Sequence, residues 1–274
     1  MKLGCLDYTF NYLPMPSSMP LLSTGMFSLL NKTRLVKKHR YMKRAIKKIS
    51  YLGFQGIQIM CLDVKQMPLK AAELKRTCSD ARLELSSIGG YSDFFSGNCK
   101  SFFSILDYAA EAGADIVCTH SGKFGEWNLL EEQLAETVDY ATSRGMCIAI
   151  ENSPHSMIRT SSDLLEITRK TTGLKVNLDP ANLVISGGDA VDAVVRLKKK
   201  IVQTHVKDVI KRSGCFDFVA LGEGILPYKE YLRALSRSGF RGFLILEYEG
   251  RGNPLTAIER GAEYLKMELN RIEK

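Results

Sequence analysis

Four short apolar runs in this chain each end on a side chain that can bind a cation or move a proton. Met146-Cys147-Ile148-Ala149-Ile150 leads into Glu151, and Leu174-Lys175-Val176-Asn177-Leu178 into Asp179. Ile201-Val202-Gln203-Thr204 leads into His205, and Phe243-Leu244-Ile245-Leu246 into Glu247. Such runs suit strands covered on both faces, as parallel strands are. Their ends lie 28, 26 and 42 positions apart (151 to 179, 179 to 205, 205 to 247), each about one strand-helix unit. On successive strands of a parallel barrel those ends converge. Three carboxylates and an imidazole gathered there repel one another and resist desolvation unless a cation joins them. The set is rich in oxygen, with one nitrogen and no thiolate. It predicts one divalent metal ion, Mn2+ first, with Mg2+, Co2+ or Zn2+ as alternatives. A lone acid after a strand is more often a helix cap or a turn residue; repetition on four strand ends is what points to a metal.

The elements that must position these residues can be read in order. Residues 2–10 read as the first strand, ending near Asp7 and Tyr8. Residues 11–31, with Pro14, Pro16 and Pro20, read as an irregular connection, either a lid or contact surface or a tolerated insertion. Tyr41, Ala45, Ile46, Ile49 and Leu52 fall at helical spacing over 38–52, Gly53 stops that helix, and 56–60 is the second strand. A helix at 69–81, a strand at 83–88, a helix at 101–112 and a strand at 115–120 follow, then a helix at 129–144. Ser161-Ser162-Asp163 caps the helix after the strand of Glu151, and Gly173 closes it. Helices at 189–199 and 227–237, the latter with Pro227 in its first turn, precede the last two strands, and 255–272 is the final helix. Eight strands, each followed by a helix, predict an α/β fold: a (β/α)8 TIM barrel over residues 1–274 as one domain. Chemistry in such barrels sits at the C-terminal ends of the strands. His120, Asn152, Asn182, Lys207 and Asp208 join the four residues there.

Composition narrows the classes. With 45% hydrophobic and 25% charged residues the chain is an average globular protein, and no apolar run reaches the length of a membrane span. The N-terminus has no secretory signal, and the seven cysteines are odd in number without a Cys-x-x-Cys pair. Buried free thiols in a reducing compartment follow, hence a cytoplasmic location. The net charge of +8 is uneven, with nine lysines and arginines between Lys32 and Lys48. These read as a solvated helix face; attraction of anionic small molecules or of nucleic acid are the alternatives. Gly-x-Ser-x-Gly, Gly-x-x-x-x-Gly-Lys-Ser/Thr and Gly-x-Gly-x-x-Gly are all absent.

Ile150-Glu151-Asn152, Leu178-Asp179-Pro180-Ala181-Asn182, His205-Val206-Lys207-Asp208 and Leu221-Gly222-Glu223-Gly224 together resemble the xylose-isomerase-like TIM-barrel superfamily of sugar and sugar-phosphate isomerases and epimerases. The likeness extends from Ala45-Ile46 and Leu52-Gly53-Phe54 to Glu247. It implies that Glu151, Asp179, His205 and Glu247 bind one divalent ion and that Glu151 and Glu247 also act as acid-base residues. Proton transfer through an enediolate, which a chelated carbonyl stabilises, is the implied chemistry. Where free-ketose 3-epimerases have a histidine, a glutamate and an arginine, this chain has Asn182, Met157 and Lys211. Its Asp-x-x-Asn, His-x-Lys-Asp and Gly-Glu-Gly set looks more like pentulose-5-phosphate 3-epimerases, so the resemblance favours a ketose phosphate as substrate.

His120, Asn182 and Lys207 are the substrate-contact candidates. A satisfied structural histidine, and a Lys207 salt bridge to Asp208 or Glu223, are the alternatives. Trp127 either walls the pocket or packs at a helix start. Three other functions compete. A DNA-repair endonuclease of the same barrel family needs several histidine ligands, and this chain has only His39, His120, His155 and His205. A non-catalytic sugar-binding barrel would not need two bases. Dehydration of a keto-inositol would use the same site and the same enolate. A small sugar or sugar phosphate is thus the expected partner, with no membrane, no nucleic acid, and a homo-oligomer (dimer or tetramer) drawn from the 11–31 segment.

Overall fold

The computed structural model describes residues 1–6, 24–91, 94–96, 99–122 and 125–272. Eight parallel strands close into a barrel. In chain order they are β1 (Lys2–Leu6), β2 (Gly56–Cys61), β3 (Glu84–Gly90), β4 (Ile116–Thr119), β5 (Cys147–Glu151), β6 (Lys175–Leu178), β7 (Ile201–Val206) and, after an antiparallel pair β8 (Asp208–Arg212) and β9 (Cys215–Val219), β10 (Phe243–Leu246). Around the barrel the order is β1-β10-β7-β6-β5-β4-β3-β2, so neighbours in sequence are neighbours in space. The helices are α1 (Thr24–Tyr51), α2 (Ala71–Asp80), α3 (Lys100–Ala112), α4 (Trp127–Thr142), α5 (Ser161–Lys170), α6 (Pro180–Ile185), α7 (Ala190–Leu197), α8 (Tyr228–Arg237) and α9 (Pro254–Ile272). The (β/α)8 reading of the sequence holds.

Two hydrophobic layers support the site. The main core lies between strands and helices, with Ile46, Ile49, Leu74, Leu106, Leu134, Ile167, Leu232 and Leu265 fully buried against strand residues such as Ile57, Ile148 and Val176. A smaller cluster lies inside the barrel, from Phe243 at the start of β10 through Ile245 to Leu6 at the end of β1, where it meets the mouth. Phe243 needs glycine opposite it, because a Cβ on Gly56 would run into its ring. The floor is therefore packed, and the space is left at the mouth.

The structure corrects the sequence reading in four places. Helix α1 starts at Thr24, inside the stretch read as irregular. The prolines at 14, 16 and 20 all precede it, and nothing after Thr24 breaks a helix. The remainder of that stretch, and the predicted strand end at Asp7 and Tyr8, lie outside the described residues. The cap of α5 is Thr160, not the Ser161-Ser162-Asp163 group: its hydroxyl accepts from the Asp163 N–H while Asp163 caps Thr160 in return. A short helix, α6, directly follows β6, and β7 leads into a hairpin before α8. None of the seven cysteines is in a disulfide; five are buried, Cys147 is part-buried and Cys215 exposed.

Candidate metal centre

Side chains two apart on a strand share a face, so Gln203, His205 and Lys207 enter the lumen together, as do Ile245 and Glu247. At the mouth these meet residues from β5 and β6. His205 Nδ1 lies 3.2 Å from Glu151 Oε1 and 3.3 Å from Glu247 Oε2. The ligand atoms of Glu151, Asp179 and His205 all fall within 4.8 Å of one another. Lys207 Nζ closes the group, 3.1 Å from Asp179 Oδ2, 3.0 Å from Glu247 Oε2 and 2.8 Å from Glu249 Oε1. The four residues singled out by the strand ends thus converge.

Local structure holds Glu151 and Asp179 by one carboxylate oxygen each and leaves the other aimed inward. Asn177 donates to Glu151 Oε2 at 2.8 Å, freeing Oε1. Asp179 is the N-cap of α6: Oδ1 accepts from the Asn182 N–H at 2.8 Å, Pro180 takes the first helical position, and Oδ2 faces Lys207. Cap and ligand-type group are the same residue here. Asn152 clamps the backbone of Asp179, accepting from its N–H and donating to its carbonyl, both at 2.9 Å. Asn182 in turn donates to the Asn152 carbonyl at 3.1 Å.

The electrostatics are those of a crowded, dry site. Burial opposes ionisation of Glu151, yet His205 and His120 outweigh it and hold the carboxyl below its usual range. Burial also works against protonated His205, but Glu151 and Glu247 raise it well above an ordinary histidine. Asp179 is pushed up by burial and by Glu151 and Glu247, against the pull of Lys207. Lys207 stays charged because Asp179, Glu247 and Glu249 outweigh its burial. Burial lifts Glu249 to about 7, with Lys207 opposing and Glu247 adding to the rise.

A divalent ion fits this donor set. Four carboxylates (Glu151, Asp179, Glu247 and Glu249) face one lysine once His205 is neutral, an excess of negative charge that burial makes costly. Two buried atoms, Asp179 Oδ2 and His205 Nδ1, have ion-pair contacts but no hydrogen bond of acceptable geometry. A cation would satisfy both.

The cluster opens into a cavity of about 770 Å³. His120 lines it, and its Nδ1 is buried without a hydrogen-bond partner. Asn182 and Lys207 line it too, although the Asn182 amide is engaged with Asn152. Lys207 makes neither of the salt bridges weighed from the sequence. Asp208 instead accepts four backbone N–H groups, from Val209, Gly222, Gly224 and Leu226, and Glu223 pairs with Arg260. Gly224 is glycine because a Cβ there would strike the Asp208 carboxylate. His155 is exposed at the rim. Trp127 starts α4 and packs on the core, and is not among the described lining residues. His39 pairs with Glu73 on the outer surface.

Sequence reasoning missed four contributors. Phe216 and Phe218, on β9, wall the cavity, and the Lys207 ammonium lies 5.4 Å from the Phe218 ring centre. Ser213-Gly214, both with positive φ, turn this hairpin, and a Ser-Gly pair between alternating apolar residues was the available signal. Glu249 lies beyond the last strand and carries no local signal. Gln58, inside the barrel on β2, looks like any polar residue within a strand.

Residues 46–267 match the xylose isomerase-like TIM barrel family. The chain belongs to that family. An inosose dehydratase of Clostridium botulinum is 22% identical over 273 residues, covering 84% of this chain and 90% of the relative. Among solved structures, the probable 3-DHS dehydratase of petrobactin synthesis from Bacillus anthracis has a TM-score of 0.71 at 19% identity, covering 97% of this chain and 99% of that one. A D-allulose 3-epimerase from Methylomonas sp. has a TM-score of 0.75 at 14% identity, with 98% of each chain covered. Relatives and neighbours are named as enzymes, among them inosose dehydratases and sugar epimerases. Among the described residues, no helix is long and apolar enough to cross a membrane.

Proposed function

We propose that this protein is a metal-dependent enzyme that removes a proton from the carbon beside a carbonyl in a small, unphosphorylated polyhydroxy ketone. Dehydration of a cyclic keto-polyol is the reaction favoured. The convergence of Glu151, Asp179, His205 and Glu247 at the cavity floor is the observation that carries the reading. Those four residues would hold the ion. When bound, a divalent cation supplies the charge that stabilises the enolate oxygen. Glu151 takes the proton through the carboxylate oxygen that is not on the ion, with Asn177 yielding Oε2 to the substrate. The electrons left on carbon form the enolate and then expel the hydroxyl from the next carbon, and with a proton from Glu247 or Glu249 that group departs as water. No oxidant is needed. Phe216 and Phe218 offer an apolar wall to the C–H face of the ring and keep water away from the enolate.

Two observations favour this over a ketose phosphate. Among the described lining residues Lys207 is the one lysine or arginine, and three carboxylates already engage it. The curated relative covering most of the chain is named inosose dehydratase. A second reading, 3-epimerisation of a free ketose, is supported by the placement of Glu151 and Glu247, which both contact His205 Nδ1 and could serve opposite substrate faces. Incubation with Mn2+ in D2O with keto-inositols, ketoses and ketose phosphates separates these. Loss of water with deuterium in recovered substrate indicates dehydration. Deuterium at C3 of an intact ketose indicates epimerisation. Absence of exchange into every compound would sink both.

A further inference from the structure

The imidazole of His205 has two nitrogens, and only one faces the carboxylates. Its Nε2 points down the lumen to Gln58 Oε1, 3.1 Å away. Gln58 is buried, and the same oxygen also receives Gln203 Nε2 at 2.6 Å. Gln203 Nε2 in turn lies 3.3 Å from Cys118 Sγ. An amide oxygen has two lone pairs and can accept from both neighbours. With Gln58 Oε1 facing it, Nε2 must carry a proton, which leaves Nδ1 of the neutral ring with its lone pair toward Glu151 and Glu247. Reversing both amides would give up a packed arrangement. The Gln58 carbonyl would face Met60 Sδ, where the NH2 now lies 3.9 Å from the sulfur. The Gln203 NH2 would take the buried position where its Oε1 now has no partner. Gly89 leaves the room this arrangement takes, since a Cβ there would run into Met60 Sδ and crowd Gln58 Nε2.

We infer that Gln58, backed by Gln203, is a positioning residue that locks His205 in its Nε2–H tautomer and so presets Nδ1 as the metal-binding atom. The part concerning metal rests on the function proposed above; the part concerning the tautomer does not. An acceptor for the far N–H of a ligating imidazole fixes ring orientation and raises basicity, and losing that partner typically weakens metal binding by about 10–100-fold. Gln58 is not one of the residues proposed to hold the ion, although it lines the cavity. It acts through His205.

Two measurements test this. The first is Mn2+ affinity by EPR titration, with thermal unfolding of the metal-free protein alongside. Gln58→Met, which keeps the volume but lacks an acceptor, is expected to weaken Mn2+ binding by roughly 10–100-fold. Gln58→Glu, which keeps the acceptor, should stay within a few-fold of wild type. Equal affinity of Gln58→Met and wild type would overturn the inference. So would equal weakening by both variants in proportion to lost thermal stability, the mark of a packing role. The second is 15N NMR of histidine-labelled, metal-free protein in the alkaline range, with His205 assigned by its loss in His205→Asn. The expected signal is Nε2–H in wild type, and a tautomer mixture in Gln58→Met. A wild-type Nδ1–H signal would refute the lock whatever the metal does. Failure of wild type to bind Mn2+ while still showing Nε2–H would overturn the proposed function and leave the lock supported.

Discussion

The molecule uses the same three residue types, glutamate, histidine and lysine, in two places with opposite consequences. On its outer flank Glu73 holds His39 at 2.9 Å and Lys43 at 2.7 Å, with side chains 30%, 38% and 38% exposed. At the barrel mouth Glu247 holds His205 at 3.3 Å and Lys207 at 3.0 Å, with side chains 4–5% exposed. The distances hardly differ. Water around the outer group screens its charges, so the ion pairs add little. In the mouth, Asp179, Glu151 and Glu249 crowd the same pair without that screening, and each group's protonation depends on the others. Burial and crowding, rather than residue identity, separate a surface ion pair from a candidate reaction centre.

Four outcomes would break or sharpen that contrast, in descending size. Glu151→Gln keeps the shape and removes the base. It should lower turnover and deuterium exchange by about 10²–10⁴-fold, the usual contribution of general base catalysis, while the outer equivalent Glu73→Gln leaves turnover unchanged. Steady-state assays on the substrate found in D2O would show both. Lys207→Met deprives two buried carboxylates, Asp179 and Glu247, and the part-buried Glu249 of their counter-charge. Breaking a buried pair costs about 3–5 kcal/mol, so the metal-free protein should melt on the order of 10 °C lower in calorimetry. Added Mn2+ should recover part of that loss.

Saturating wild type with Mn2+ at about 100 times its dissociation constant should stabilise the fold by about 2.7 kcal/mol, read as a rise of several degrees in the melting midpoint. Chelation should reverse it. An unchanged midpoint would place the mouth cluster with the outer one, as charges without a cation. Smallest of all is Glu73→Gln, expected to change stability by less than about 1 kcal/mol. Hydrogen bonds from Lys43 and His39 hold Glu73 below the usual carboxylate range. Its contribution is therefore complete above the unfolded-state value and fades as pH falls toward the lowered one. Melting of wild type and variant should converge only in acid.

Much of this was legible in order of residues. Mostly apolar runs ending in Glu151, Asp179, His205 and Glu247 are strong signals, because a strand buried on both faces favours apolar residues until it reaches the rim. Pro180 after Asp179 marks a helix start as clearly as a strand end, although α6 was not read from it. The β8–β9 hairpin could also have been read, since Ser213-Gly214 sits between alternating apolar residues. Glu249 could not. It reaches Lys207 because the chain bends after β10, and nothing in Tyr248-Glu249-Gly250 announces the bend.

Sequence alone determined the eightfold alternation of strand and helix, the four side chains at consecutive strand ends, and their family. These follow from local periodicity and from chemistry written in residue type, which need no knowledge of distant neighbours. Only the tertiary structure decided that Lys207 answers three carboxylates, that Asn152 and Asn182 brace Asp179, and that Gln58 faces His205 across 147 positions of chain. Each of those is a contact between strands, set by barrel closure and register. The charge a group carries there depends on which neighbours burial forces upon it.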